Sequence, residues 1–289
     1  MKVAETAARR GHRVTLFERN RALGGQLLLA EKQPEHANVA EVTSHLEIVA
    51  DEAGVDIRRG LNASIDDIHA LSPDVVVVAT GSEPNLPRVS MDDVSLSQSL
   101  GRQILPDIPG LNREFVVSGD DVLGERVQLS GRVVLVDNNG HWEAAGTAEY
   151  LADQGCEVIV VAPHAVGSDL EGGSRALFFR RAAIKNIKLR SAMLLVEVAD
   201  HRVQVSPVFS GSDAIGWAKY LLMPGDGEWI EDVDWVVPVI GRRSREDLYL
   251  KLKRDSRFDG LRVERTGDCV APRLIESTIA EAFLLAQTL

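Results

Sequence analysis

The chain has 289 residues, of which 45% are hydrophobic and 26% are charged, and its formal net charge is −11. This is an ordinary globular composition with room for two modest domains, and the acidic balance argues against a nucleic-acid partner, which requires clustered lysine and arginine. The two cysteines cannot build an iron–sulfur or metal site, and no apolar run is long enough to cross a bilayer, so we expect a cytoplasmic protein without a membrane partner.

The first elements predict the second half of a dinucleotide-binding βαβ unit. A helix over residues 2–10 carries small residues that allow close packing on a sheet, Gly11 ends it, and residues 13–18 form a β-branched and aromatic strand. A complete unit also needs an opening strand and a glycine-rich turn before the helix, and the printed sequence has neither. We therefore expect a chain truncated at its front end, with Glu18 near the position of a ribose-binding acid.

The remaining elements follow in an α/β order. Residues 132–161 form a complete βαβ unit, with strands over 132–137 and 157–161 and a helix over 144–154. The apolar strand over residues 75–79 is of the buried parallel type. The other predicted elements are a helix over 39–53, a strand over 55–59, a weak helix over 170–185, a strand over 187–190, an antiparallel meander over 194–222, a strand over 235–240, a strand over 261–265, a turn over 266–268 and a helix over 275–289.

This order predicts two nested Rossmann-like three-layer domains, the first of which lacks its opening strand and glycine-rich loop. The first domain, of the FAD- or ADP-binding type, comprises residues 1–108 and 262–289. The inserted domain, of the NAD(P)-binding type, comprises residues 109–261. A proline cluster at Pro106 and Pro109 marks the first boundary, and the return falls near Arg262.

Three fragments resemble the FAD-dependent pyridine-nucleotide-type reductases. Residues 10–26 (RGHRVTLFERNRALGGQ) resemble their first nucleotide site, residues 79–84 (ATGSEP) their strand and turn, and residues 266–272 (TGDCVAP) their late Gly-Asp motif. A finer resemblance is to the C-terminal region of the NADH:flavin oxidoreductase family, which includes trimethylamine and dimethylamine dehydrogenases and 2,4-dienoyl-CoA reductase. It is carried by residues 267–273 running into Glu276 and Glu281, and by residues 137–146 (DNNGHWEAAG).

The resemblance implies a site for FAD or ADP in which Glu18 binds the ribose and Asp268 accepts from cofactor hydroxyls. Each residue also has an ordinary structural reading, as a surface acid, a turn, strand punctuation or a helix cap. Without the amide-bearing loop we expect binding to be weak or lost. The expected cofactor-binding residues are Glu18, Arg19, Gly24, Gly25, Gln26, Thr80, Gly81 and Asp268.

The inserted domain departs from the NAD(P)-binding pattern. Asp137 and the bulky Trp142 replace residues of the Gly-x-Gly-x-x-Gly turn, where a pyrophosphate needs bare backbone, so ordinary nicotinamide binding is doubtful. His141 and Glu143 are interpreted as loop residues without a catalytic role. No catalytic or metal-binding constellation occurs in the sequence. The arginine pairs at 9–10, 58–59, 180–181 and 242–243 are expected on solvated faces.

The leading hypothesis is the nucleotide-binding portion of a flavin-dependent oxidoreductase of the amine dehydrogenase or enoate reductase type. The resemblance implies an upstream barrel domain or subunit that holds FMN and an iron–sulfur cluster, with an electron-transfer flavoprotein as a further partner. The isolated chain is then expected to be inactive. The alternative is an accessory or interaction module that has lost cofactor binding, and a free-standing NAD(P)H reductase is the least favoured reading.

Overall fold

The computed structural model describes residues 1–86, 108–208 and 227–289. It is a mixed α/β structure with parallel sheets, and it divides into two compact units. Unit 1 comprises Met1–Glu31, Glu35–Glu83 and Arg242–Leu289, and unit 2 comprises Lys32–Pro34 and Pro84–Gly241. Within the described ranges, no helix reaches the length and apolarity needed to cross a bilayer.

The elements are named in chain order. They are α1 (Lys2–Arg9), β1 (Thr15–Glu18), α2 (Leu27–Ala30), α3 (Val39–Glu52), β2 (Asp56–Arg59), α4 (Ile65–Ala70), β3 (Val75–Val78), β4 (Ser82–Pro84), α5 (Gly119–Leu123), β5 (Arg132–Asp137), α6 (Trp142–Asp153), β6 (Glu157–Val161), α7 (Gly172–Ile184), β7 (Lys188–Arg190), β8 (Met193–Ala199), β9 (Arg202–Pro207), β10 (Glu228–Ile230), β11 (Trp235–Val239), β12 (Arg242–Ser244), α8 (Asp247–Arg254), β13 (Arg262–Arg265) and α9 (Ile275–Gln287). Two 3₁₀ turns cover Ser256–Phe258 and Gly267–Cys269.

The unit boundaries differ from the expected domain boundaries at 108/109 and 261/262. The chain leaves unit 1 after Glu83 and returns at Arg242, because β4 and β12 pair with each other. Short three-residue strands such as these carry little periodicity, so the sequence pattern did not reveal the pairing. Pro106 of the expected boundary lies outside the described residues, as do residues 209–222 of the predicted meander.

Unit 2 is organised around a four-stranded parallel sheet in the order β11-β5-β6-β7. Alternate residues of β5 point to opposite faces: Val133 and Leu135 join the core formed with α6 and α7, whereas Val134 and Val136 join the core formed with β8, β9 and β10. Burial on both faces explains why β5 and β6 read as continuous apolar runs. The predicted bounds of both strands are confirmed.

Unit 1 contains two parallel strand pairs, β1 with β2 and β3 with β13. In the described part of the chain these pairs are separate two-stranded sheets, so a continuous Rossmann-like layer stays a prediction for this unit. Helix α4 was not predicted, although Ser64 and Asp67 form a complete capping box at its start.

Candidate functional site

The candidate site in unit 1 is built where two neighbouring parallel strands end. β3 and β13 pair in register from Val75↔Arg262 to Val78↔Arg265, so the segments that follow them meet at one edge. Those segments carry Ser82 and Asp268. The carboxyl edge of a parallel sheet is the usual ligand-binding edge in α/β proteins.

Four side chains join at this edge, and we call Gln26, Ser82, Arg242 and Asp268 the edge cluster. Nε2 of Gln26 donates to Oγ of Ser82 over 2.8 Å and to Oδ2 of Asp268 over 3.2 Å. The Ser82 hydroxyl donates to Oδ2 of Asp268 over 2.9 Å. Nε of Arg242 donates to Oγ of Ser82 over 3.1 Å. Segments remote in sequence therefore converge on one carboxylate.

The hydroxyl of Ser82 uses its full hydrogen-bonding capacity. It accepts from Gln26 and Arg242 and donates its one proton to Asp268, and the side chain is buried. Asp268 is half-buried and also accepts at Oδ1 from the backbone N–H of Arg273 over 3.2 Å. A carboxylate has about four acceptor positions, so Asp268 keeps capacity for a ligand hydroxyl.

Glu281 of α9 stabilises the turn that carries Asp268 through hydrogen bonds to the two residues before Asp268. Oε1 of Glu281 accepts from the backbone N–H of Gly267 over 2.8 Å and from the Thr266 hydroxyl over 3.1 Å. Arg273 forms an ion pair with the same carboxylate. The position of Asp268 is thus set by Glu281 of α9 and by Arg273, which lies in the segment between the turn and α9.

Thr80 and Gly81 lie beside the edge cluster and have different environments. The Thr80 hydroxyl donates to the backbone carbonyl of Arg245, and its oxygen lies 3.3 Å from Sγ of Cys269. Gly81 has a φ of +74°, and a Cβ at this position would lie 3.6 Å from Nε2 of Gln26. Glycine therefore allows the left-handed turn that brings Ser82 under the Gln26 amide.

Gly24 and Gly25 form the turn that precedes Gln26. Their φ angles are +119° and +55°. A Cβ on Gly24 would lie 2.8 Å from Cγ2 of Thr43 in α3, which is closer than packed carbon atoms come. The two glycines are thus needed for the path that delivers Gln26 to the edge cluster.

Glu18 ends β1, and Arg19 follows it on the exposed surface. Oε1 of Glu18 accepts from the backbone N–H of Asn20 over 2.8 Å. Burial lowers the pKa of the Met1 amino group, and the charge of Glu18 acts against that shift. Within residues 1–86, 108–208 and 227–289, no hydrogen bond or ion pair links Glu18 or Arg19 to the edge cluster.

The turn after β5 in unit 2 corrects two expectations. Trp142 does not occupy the turn; it is the first residue of α6 and packs on the core of unit 2. Glu143 lies in the first helical turn, where its carboxylate accepts from Nδ2 of Asn139 over 3.2 Å, and is therefore not a loop residue. Asp137 is the last residue of β5, directly before the turn, and burial raises the pKa of its carboxyl group.

Two of the arginine pairs expected on solvated faces contain a half-buried member with a partner. Arg242 belongs to the edge cluster, and Arg181 forms two hydrogen bonds, of 2.6 and 2.9 Å, with the fully buried carboxylate of Glu149. Sequence reasoning missed Ser82 and Arg242 as site residues. A signal for both was present in the sequence, because Ser82 follows Gly81 and Arg242 follows Gly241, each at the end of a buried strand.

The described residues contain no cluster of His, Cys, Asp or Glu suited to hold a metal ion. No family model matches the chain. An NADH oxidase of Thermoanaerobacter brockii is 32% identical over an alignment of 251 residues that covers 83% of this chain and 36% of that protein. An N,N-dimethylglycine/sarcosine dehydrogenase of Chromohalobacter salexigens is 29% identical over 313 residues, covering 99% of this chain and 42% of that protein.

Among solved structures, a 2-naphthoyl-CoA reductase matches with a TM-score of 0.79 and 25% identity, over 100% of this chain and 38% of that one. The chain spans less than half the length of the two curated relatives, the NADH oxidase and the N,N-dimethylglycine/sarcosine dehydrogenase.

Proposed function

Because this chain belongs to the NADH:flavin oxidoreductase family, we propose that it is the nucleotide-binding portion of a flavin-dependent oxidoreductase of the amine dehydrogenase or enoate reductase type. The observation that carries the proposal is the edge cluster. The side chains of Gln26 and Ser82, which are remote from each other in sequence, both donate to Asp268 at the ligand-binding edge of a parallel strand pair.

The residues present fit the sugar portion of FAD or ADP. Ribose and ribityl hydroxyls are donors that need carboxylate acceptors, and Asp268 keeps acceptor capacity at a half-buried edge. Glu18 supplies a second carboxylate at the end of β1, where a ribose-binding acid is expected. In this proposal Gln26 offers its amide beside Asp268, and Gly81 allows a ligand to approach the backbone.

FAD, when bound, supplies the capacity to accept and pass on electrons. The chain's own residues contribute binding and orientation only: Glu18 and Asp268 hold hydroxyls, and the Ser82 hydroxyl donates a hydrogen bond to Oδ2 of Asp268. We include no catalytic residue of this chain in the proposal. The chemistry belongs to an upstream FMN and iron–sulfur barrel, on the same chain or on a partner, and an electron-transfer flavoprotein receives the electrons.

A second function is favoured by one feature of the same cluster. The Ser82 hydroxyl is fully satisfied by protein groups, and Asp268 already accepts from three protein donors, so the edge is stable without a ligand. An accessory or interaction module that has lost cofactor binding would look like this. The two proposals differ in whether FAD binds at all.

Titration of the purified 289-residue polypeptide with FAD, followed by flavin fluorescence, separates them. Unit 1 of the 289-residue polypeptide contains no Gly-x-Gly-x-x-Gly loop to bind the diphosphate. We therefore expect FAD to bind saturably but weakly, with a dissociation constant on the order of 10 μM or weaker. Absence of saturable binding would favour the accessory module. Nanomolar binding would contradict the expectation that this polypeptide binds weakly.

A further inference from the structure

The end of β5 in unit 2 carries a buried acid that neither proposed function uses. Asp137 is the last residue of β5, and only 1% of its surface is exposed. Its Oδ1 accepts from the backbone N–H of Asn139 over 3.0 Å and from that of Gly140 over 2.7 Å. The backbone N–H of Gly167, in the loop after β6, also stabilises the carboxylate and lowers its pKa.

These backbone groups form an anion cradle, by which we mean the N–H groups of Asn139, Gly140 and Gly167 around the carboxylate of Asp137. Backbone N–H groups that converge on one point at the carboxyl edge of a parallel sheet are the ordinary binding elements for phosphate. Here a carboxylate fixed to the same strand takes those hydrogen bonds. A second anion would find these N–H donors already occupied, and the charge of Asp137 would repel it.

The carboxylate also ties two loops together. The loop after β6 is held against the first loop by a hydrogen bond from the backbone N–H of Asp169 to the carbonyl of Gly140, over 3.0 Å. His164 in that loop lies close enough to lower the pKa of Asp137, and Oγ of Ser168 lies 3.4 Å from Nδ1 of His164. The loops after β5 and β6 are therefore joined beside Asp137, both by this backbone hydrogen bond and through the Asp137 carboxylate.

We propose that Asp137 is the internal anion of unit 2: its carboxylate occupies the anion cradle and excludes the diphosphate of a dinucleotide from this turn. Asp137 thus acts as a specificity-determining residue of unit 2. The inference concerns unit 2 alone, so it stands or fails independently of the proposed function of the edge cluster.

The test uses the backbone amide signals of Asn139 and Gly140 in NMR spectra, with inorganic pyrophosphate as the probe. In the wild type we expect these signals to be unchanged by pyrophosphate. In Asp137→Ser we expect saturable shifts at both amides, with an affinity gain of about tenfold or more, because hydrogen bonds to a charged group become available. Shifts in the wild type, or none in a folded Asp137→Ser, would overturn the proposal.

The matched control is Asp169→Ser, which removes one exposed acid from the neighbouring loop. An equal gain of pyrophosphate binding in this variant would overturn the proposal, because it would trace the effect to net charge. If Asp137→Ser does not fold, the wild type still decides. The amide proton shifts of Asn139 and Gly140 must follow the titration of one buried carboxyl group, and a flat pH profile at both would contradict the assignment.

Discussion

Ser82 and Asp268 lie 186 positions apart in the sequence, yet the Ser82 hydroxyl donates a 2.9 Å hydrogen bond to Oδ2 of Asp268. The contact exists because β3 and β13 are parallel neighbours, so the residues that follow them meet at one edge. It identifies Asp268 as the acceptor around which the proposed nucleotide site is organised.

Asp268→Asn is expected to weaken FAD binding. The substitution removes the charge and exchanges one acceptor for a donor, and a hydrogen bond to a charged group contributes about 1.5–3 kcal/mol, or roughly 10- to 100-fold in affinity. Fluorescence titration of both proteins measures the change. Asp51→Asn, which alters an exposed acid of α3, is the control and should leave FAD affinity unchanged. Equal affinities for wild type and Asp268→Asn would remove Asp268 from the site.

Gly146→Ala tests a contact inside unit 2. Alanine normally stabilises a helix by about 1 kcal/mol relative to glycine. Here a Cβ at position 146 would lie 2.5 Å from Oε1 and 2.9 Å from Cβ of Gln33, whose side chain is 5% exposed. We expect Gly146→Ala to lower the free energy of unfolding by about 1–3 kcal/mol.

The sign should reverse when the obstacle is removed. In a Gln33→Gly background, which also removes the Cβ at position 33, Gly146→Ala is expected to stabilise unit 2 by up to about 1 kcal/mol, because only the helix preference remains. Urea denaturation of the four proteins in the cycle provides the numbers. Additive effects would show that the two residues do not touch in solution.

Glu149→Gln is expected to be strongly destabilising. The Glu149 carboxylate is fully buried and pairs with Arg181 and, at 3.4 Å, with Nζ of Lys185. Removing one partner of a buried pair leaves uncompensated charge, at a cost of about 3–5 kcal/mol. Glu157→Gln is the comparison, since its pairs with Arg132 and Lys188 are partly exposed to solvent and are expected to contribute less than about 1 kcal/mol. Similar losses for the two variants would contradict the buried pair.

The buried carboxyl group of Asp137 predicts a pH dependence with a definite sign. Burial is the largest influence on this group and raises its folded-state pKa above the ordinary value of 3.8. A raised pKa favours the protonated form in the folded state, so the contribution to stability is largest below pH 3.8 and is lost as the pH rises through the folded value.

Wild type should therefore lose stability relative to Asp137→Asn as the pH increases across this range. The measurement is the difference between their free energies of unfolding as a function of pH, which cancels the groups they share. A difference that stays constant, or that grows in favour of the wild type, would contradict the raised pKa.

Much of the local structure was predictable, because the sequence contains strong periodic signals. β5 and β6 are continuous apolar runs buried on both faces, and their bounds were predicted to the residue. The turn glycines before Gln26 and the Gly-Asp turn at Asp268 were likewise visible from residue type and resemblance. These features depend on residues that are close in sequence, so sequence patterns can predict them.

What was not predictable depends on contacts remote in sequence. Gln26 and Asp268 are 242 positions apart, and Arg242 reaches Ser82 only because β4 and β12 pair. An arginine doublet looks the same whether it faces solvent or a buried hydroxyl. The position of Trp142 was wrongly predicted for a similar reason, because it depends on packing against the core. Helix α6 begins at Trp142, and the side chain packs on the core of unit 2 and does not lie in the turn.

The most direct test of the account is amide hydrogen exchange, measured by mass spectrometry with and without excess ADP. The account predicts slower exchange in residues 79–83 and 265–270, which surround the edge cluster, and no change in residues 137–141, where Asp137 fills the anion cradle. Slower exchange at 137–141 with none at the edge cluster would contradict it, because the nucleotide would then bind in unit 2.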